Sequence, residues 1–188
     1  MTRLMYHISR WLRALYKPRM HAYSKNFQRE SVAGLRIGSS TFIDYPENLK
    51  LEDHVYIGHF NFIEASHGIS VGEGCQITSH VTLTTHSSHD SIRYEGSAYG
   101  SVSTEGGLHV GSIELGAYTF VGPGSIIMPG TRIGKGCIVQ AHSYVQGDFP
   151  DFTIIGGSPA RAVGDVKTRD QAVLNAHPEL RSTYMKNG

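Results

Sequence analysis

The sequence predicts an all-β chain wound as a triangular solenoid, and three observations point to it. Aliphatic residues recur every six positions, a period that belongs neither to a helix nor to a half-exposed strand. The series Leu115, Val121, Ile127, Ile133, Val139, Val145 is unbroken, and an earlier one runs Ile37, Ile43, Leu51, Ile57, Ile63, Val71, Ile77, Leu83. Glycine follows the aliphatic residue directly at Gly38, Gly58, Gly72, Gly116, Gly122 and Gly134. A compact residue commonly stands four positions after it, as in Thr41, Val55, Cys75, Val81, Thr119, Ser125, Thr131, Cys137 and Ser143.

Each hexad supplies a short strand and a corner. The aliphatic anchor points inward, and the residue after it turns tightly, which calls for glycine. No face buries its apolar side alone, so stacked coils build one continuous core. Cys75 and Cys137 take the compact inward position and read as packing residues. Steps of eight, from Ile43 to Leu51 and from Ile63 to Val71, are two-residue insertions at corners.

The elements divide into three parts. Residues 1–30 carry seven Lys/Arg against Glu30, and Leu4, Ile8, Trp11, Leu12 and Leu15 recur at helical spacing until Pro18. This is a basic amphipathic helical segment. Its functional reading is a peripheral foot on an anionic membrane through residues 1–19; its alternative is packing against the protein or a neighbouring subunit. Residues 31–164 hold the solenoid, broken between Leu83 and Leu115 by a polar loop, 86–109. Residues 165–188 read as a C-terminal helix opened by a Thr168-x-x-Gln171 capping box.

Composition excludes several classes. A net charge of +1 over 188 residues argues against a nucleic-acid binder. That total is a cancellation between the basic segment and an acidic solenoid. Two cysteines make no disulfide framework, so a reducing, cytoplasmic setting is expected. No apolar run reaches membrane-spanning length, and Arg3, Arg10 and Arg13 interrupt any signal-peptide core.

His86 stands where strand gives way to loop, a fitting place for proton transfer at neutral pH. His89 and Asp90 follow closely enough to orient it or bind substrate. A metal site needs three or four converging ligands; His54 and His59, or His80 and His86, supply only pairs, and the expectation is no metal. No nucleophile motif is visible.

Four segments then resemble one family: Val81 to His86 (VTLTTH), LGAYTFVGPGSIIMPGTRIG at 115–134, the hexad Val139 to Tyr144, and Ile155-Gly-Gly-Ser-Pro-Ala-Arg161. They are similar to the hexapeptide-repeat acyltransferases, in particular the sugar O-acetyltransferases acting on galactosides, maltose, nodulation factors, lipopolysaccharide or capsule. The resemblance implies a left-handed parallel β-helix with flanking helices, assembled as a homotrimer with active sites between subunits. It implies that His86 is the general base, removing a proton from a saccharide hydroxyl as the oxygen attacks acetyl-CoA directly. His89, Asp90 and Tyr99 would then face the acceptor. Gly122, Pro123, Gly124, Ala141, Ser143 and Arg161 would line acetyl-CoA, Arg161 at its phosphorylated end.

The chain departs from the family in places. Pro123 has no N–H to offer an oxyanion, which leaves Gly124, another amide or a water. Gln146 and Gly147 stand where some relatives carry Thr and Lys, and the loop has its own composition. His86 is followed by Ser87, whereas N-acetylating bacillosamine-pathway relatives tend to have a His-Glu pair, so transfer to oxygen is expected over transfer to a sugar amine. The expected role is in bacterial surface-polysaccharide synthesis, in the cytoplasm or at the inner face of the membrane. The rivals are a zinc enzyme like the γ-class carbonic anhydrases, which share the fold, and a non-catalytic β-helix scaffold.

Overall fold

The computed structural model describes residues 5, 7, 8, 17–101 and 105–184. The chain is a left-handed parallel β-helix of about six turns. The first face stacks Ser31–Gly38, Tyr56–Ile57, Gln76–Ile77, Phe120–Val121, Ile138–Val139 and Thr153–Gly157 in parallel. The second stacks Phe42–Asp44, Phe62–Glu64, Thr82–Thr84, Ile126–Ile127 and Tyr144–Val145. The third stacks Leu49–Leu51, Ile69–Val71, Ile113–Leu115, Arg132–Ile133 and Asp148–Phe149.

The periodic anchors form the core. Thirteen of the fourteen, all but the half-buried Ile43, are buried. The compact positions interleave with them: Val55, Cys75, Val81 and Cys137 are fully buried, and the hydroxyls among them are all bonded inside. Thr119 Oγ1 donates to Gly134 O at 2.8 Å and Ser125 Oγ to Gln140 O at 2.9 Å. Polar groups can stand in so narrow a column because the turning backbone supplies an acceptor to each one.

The glycines after the anchors are explained by stacking and not by turning. A Cβ on Gly116 would lie 2.4 Å from Lys135 N in the next coil, and one on Gly58 2.6 Å from Thr78 O. The turn itself falls two residues later. Positive φ occurs three positions after the anchor at His54, Phe60, Gly74, His80, Tyr118, Gly124, Gly130, Gly136 and His142.

One corner, between the second and third faces, is where the coils swell. The two-residue insertions lie there, at Tyr45–Asn48 and at Ala65–Gly68, and the long loop leaves from the coil above them. His86–Ser87 pairs antiparallel with His109–Val110 to close the loop's base, and Ser91–Glu95 forms a short helix within it.

Both ends of the first face are closed by antiparallel strands. Met20–Lys25 pairs with Ser31–Gly38, and Ala160–Asp165 folds back on Thr153–Gly157. Residues 20–25, expected within the basic helical segment, are therefore strand. Its apolar series lies, except for Ile8, outside the described residues. The C-terminal helix spans Val166–Ala176, and its N-cap is Asp165, whose side chain accepts from Thr168 N at 2.7 Å. Asp165 therefore caps the helix, where Thr168 was expected, because the strand delivers it one turn earlier.

Candidate active site

His86 projects from the swollen corner with 44% of its side chain exposed, enough to meet a substrate. Its Nδ1 lies 2.9 Å from Glu64 Oε2, in the coil below. Donation from Nδ1–H to the carboxylate leaves Nε2 of the neutral ring with a free lone pair.

Glu64 is held more firmly than a surface carboxylate. It is 3% exposed; Oε1 accepts from Ser66 N at 2.8 Å, and Oε2 accepts from Thr85 N at 2.9 Å and Thr85 Oγ1 at 3.0 Å. Burial pushes the carboxyl up, but the bonds from Ser66 and Thr85 outweigh it and bring Glu64 down to about 2. A fixed anion therefore stands behind the imidazole. His67, in the same insertion, turns its ring toward His86, with centroids 6.4 Å apart.

Sequence reasoning missed Glu64 and His67. A signal existed: Glu64 is an acid directly after the anchor Ile63, where six of the fourteen hexads have glycine, and the insertion that follows it also carries His67.

The loop beyond His86 is braced. His109 Nε2 lies 2.6 Å from Asp90 Oδ2, Arg93 pairs with Asp90 Oδ1, and Ser91 N donates to Gly107 O at 2.9 Å. His89 is exposed, with Nδ1 2.8 Å from Ser87 Oγ. Tyr99 is exposed just after a 3-10 turn, Gly96–Ala98.

The other predicted residues occupy the opposite edge of the second face. Gly122, Pro123 and Gly124 turn one corner, and Ala141 and His142 turn the same corner one coil on, with His142 N donating to Pro123 O at 2.9 Å. Arg161 is exposed on the terminal hairpin, opposite Gly156. Ser143 is 1% exposed and its Oγ donates to Gln140 O at 2.7 Å, so its hydroxyl serves the core. Gly124 N donates to Ser79 O at 3.2 Å, in the stacking of the coils.

The histidine pairs weighed as zinc ligands do not converge. His80 stacks on Phe60, His59 Nδ1 meets Ser40 Oγ, and His86 is committed to Glu64. A shallow groove on the third face, lined by Lys50, Glu52, Glu114 and Arg132, lies away from His86.

Residues 112–147 match the model of the bacterial transferase hexapeptide family (six repeats). The protein of Escherichia coli K12 named for lipopolysaccharide biosynthesis as the O-acetyl transferase WbbJ is 27% identical over 146 residues, covering 74% of this chain and 71% of that protein. The galactoside O-acetyltransferase of the same organism is 25% identical over 72% of this chain and 66% of its own length. The chain is similar to the hexapeptide-repeat acyltransferases in its repeat, its fold and its relatives. Among solved structures, the N-acyltransferase AntD of Bacillus cereus shares the fold, with a TM-score of 0.61 and 19% identity over 81% of this chain and 90% of that one. In this chain the departures from a plain β-helix gather at the corner that carries His86.

Proposed function

We propose that this chain transfers the acetyl group of acetyl-CoA to a hydroxyl of a saccharide, in the building of bacterial surface polysaccharide. The observation that carries the reading is the His86–Glu64 pair. A sugar hydroxyl is a poor nucleophile until its proton leaves, and His86 Nε2 takes that proton as the oxygen attacks the thioester carbonyl. The imidazolium so formed is stabilised by Glu64. Collapse of the tetrahedral adduct breaks the C–S bond, CoA leaves as the thiol after receiving the proton from His86, and no acyl-enzyme forms.

The donor lies along the other edge of the same face. Gly122, Pro123 and Ala141 offer a low, side-chain-poor corner to a slim pantetheine arm, and Arg161 offers a guanidinium to phosphate. That edge is separated from His86 by the strand Ile126–Ile127 and its flanking turns, roughly 15 Å of extended chain. The resemblance to the hexapeptide-repeat acyltransferases implies a homotrimer, in which the donor edge of one subunit meets the base of its neighbour. The apolar side chains on the intervening face, Phe42, Phe62 and Ile126, are exposed in the single chain and suit that contact. The acceptor sits against loop 86–109, with His67, His89 and Tyr99 as its exposed side chains, while Asp90 sets the loop's shape. The enzyme works in the cytoplasm, and the basic segment 1–19 packs against the protein or a neighbouring subunit, with contact to the inner face of the membrane as its alternative.

The test is a screen of saccharide acceptors with acetyl-CoA, the product bond identified by mass spectrometry and by its lability to mild base. His86→Ala lowers kcat by about 10²- to 10⁴-fold and leaves CoA affinity by calorimetry unchanged. Undiminished turnover in the folded variant refutes the assignment of the base. A base-stable amide in place of the ester moves the reading to amino-sugar N-acetylation.

A further inference from the structure

We propose that His89, Asp90 and His109 form a binding site for a divalent transition-metal cation of the Zn2+, Co2+ or Ni2+ type, one that clasps the two ends of the loop beside His86. These are the residues whose ligand atoms gather among the described residues: one atom from each, all within 4.8 Å of one another. They come from both ends of the excursion, Asp90 and His109 being 19 residues apart in sequence.

The geometry exceeds what a simple ion pair requires. His109 Nε2, 2.6 Å from Asp90 Oδ2, already makes a full charge-assisted hydrogen bond. His89 nevertheless turns its own Nε2 toward the same oxygen, at 3.6 Å, too far for a hydrogen bond. It is held there from behind, where Nδ1 meets Ser87 Oγ at 2.8 Å. Fixing one ring nitrogen so that the other faces a shared centre is how metal-binding histidines are oriented. The two rings lie nearly parallel, 6° apart with centroids at 4.5 Å. Parallel ring planes cannot both contain one ion, so binding requires one of the two partly exposed rings to tilt out of this stack.

The donor set selects the ion. Two imidazoles and one carboxylate oxygen suit borderline first-row cations and not Mg2+ or Ca2+, which require oxygen ligands. Arg93 occupies Asp90 Oδ1, so the carboxylate binds through Oδ2 alone. A guanidinium so near opposes a dication, and the partly exposed histidines leave positions for water. The affinity is therefore micromolar in order, not that of a closed structural site. The consequence is local: Ser87 and His109 are direct partners in the ladder that starts at His86. Bound metal joins the loop's ends across this ladder and orders the side of the site that meets the acceptor.

The experiment uses untagged, chelator-treated full-length protein, titrated with ZnCl2 by calorimetry and with CoCl2 by visible absorbance. One saturable site per chain is expected, with visible ligand-field bands for Co2+ and no response to MgCl2. Affinity falls at least tenfold in His89→Ala and in His109→Ala, and Zn2+ slows tryptic cleavage after Arg93 several-fold in the parent chain only. Should an alanine variant fail to fold by circular dichroism, His89→Asn and His109→Gln replace it. The proposal is overturned by the absence of saturable binding, or by binding that survives in the double variant, which would place the ion on other surface histidines.

Discussion

Replacing Glu64 with glutamine isolates the anion behind His86 with almost no change of volume. Four donors lie within 3.0 Å of the two carboxylate oxygens, Ser66 N, Thr85 N, Thr85 Oγ1 and His86 Nδ1, with Thr84 Oγ1 farther off at 3.5 Å. Glutamine keeps one oxygen. If that oxygen takes the place of Oε2, the amide NH2 confronts Ser66 N–H across the 2.8 Å now spanned by a hydrogen bond. Loss of one bond to a charged group, with two donors left facing each other, costs roughly 3 kcal/mol, which for a chain of this size lowers Tm by about 6–12 °C. The chemical step suffers separately, because the imidazolium loses its counter-charge and the ring its fixed orientation. A fall in kcat of about 10²-fold, equivalent to about 2.7 kcal/mol, is expected. Initial rates of thiol release, taken well below the variant's Tm, give kcat and the KM for acetyl-CoA. KM stays within about twofold, since the donor edge lies across the face from Glu64. Glu64→Asp keeps the charge but draws it back by one methylene, and falls between the two. If kcat of the folded Glu64→Gln variant lies within about threefold of the parent, or if the loss falls on KM, Glu64 is a structural residue only and the pairing argument fails.

Other outcomes follow from the same geometry. Glu64 titrates at 4.5 as a free carboxyl and at about 2 in the folded chain. Its depressed value therefore stabilises the fold fully above pH 4.5, and that contribution, at most about 3 kcal/mol, is lost as pH falls toward 2. Urea midpoints measured across this window decline in the parent and more shallowly in Glu64→Gln; parallel curves would contradict it. Gly116→Ala drives a methyl against the backbone nitrogen of Lys135 and lowers stability by about 1–3 kcal/mol, read as a shift in denaturation midpoint; an unchanged midpoint would mean that the coils separate at no cost. Burial pushes the Cys75 thiol up to about 11, so it stays unreactive toward a disulfide reagent in native buffer and is labelled on denaturation. Rapid native labelling of Cys75 would show the column to be open.

The fold was legible because a six-residue period leaves little choice. Anchors such as Val121 and Ile127 must share an interior, and neither a helix nor a flat sheet places them there. The glycines were legible as positions but not as causes. Gly58 and Gly116 looked like turns, yet what they avoid is backbone in the next coil, a contact between residues about twenty apart in sequence. Ser143 stands in a motif that suggests a ligand, while its place in the hexad, four after Val139, puts its side chain inside. His86 stood out because it ends a strand and opens a loop. Glu64 did not, because its partner lies one coil away, and only the register Phe62–Thr82, Ile63–Leu83, Glu64–Thr84 brings the two corners together. The N-cap was displaced because the strand ending at Asp165 fixes where the last helix begins.

A parallel column has no natural end: its last coil exposes the same hydrogen-bonding rim that its first coil offers from below. A second molecule arriving in register would extend it, as in the growth of a fibril. In this chain the strands Met20–Lys25 and Ala160–Asp165 run against the grain of the first face, one at each end. A newcomer would have to pair with all three faces at once, and on this one it meets a backbone pointing the wrong way. The reversal of two short strands thus breaks the parallel register that end-to-end growth of the column would continue on this face.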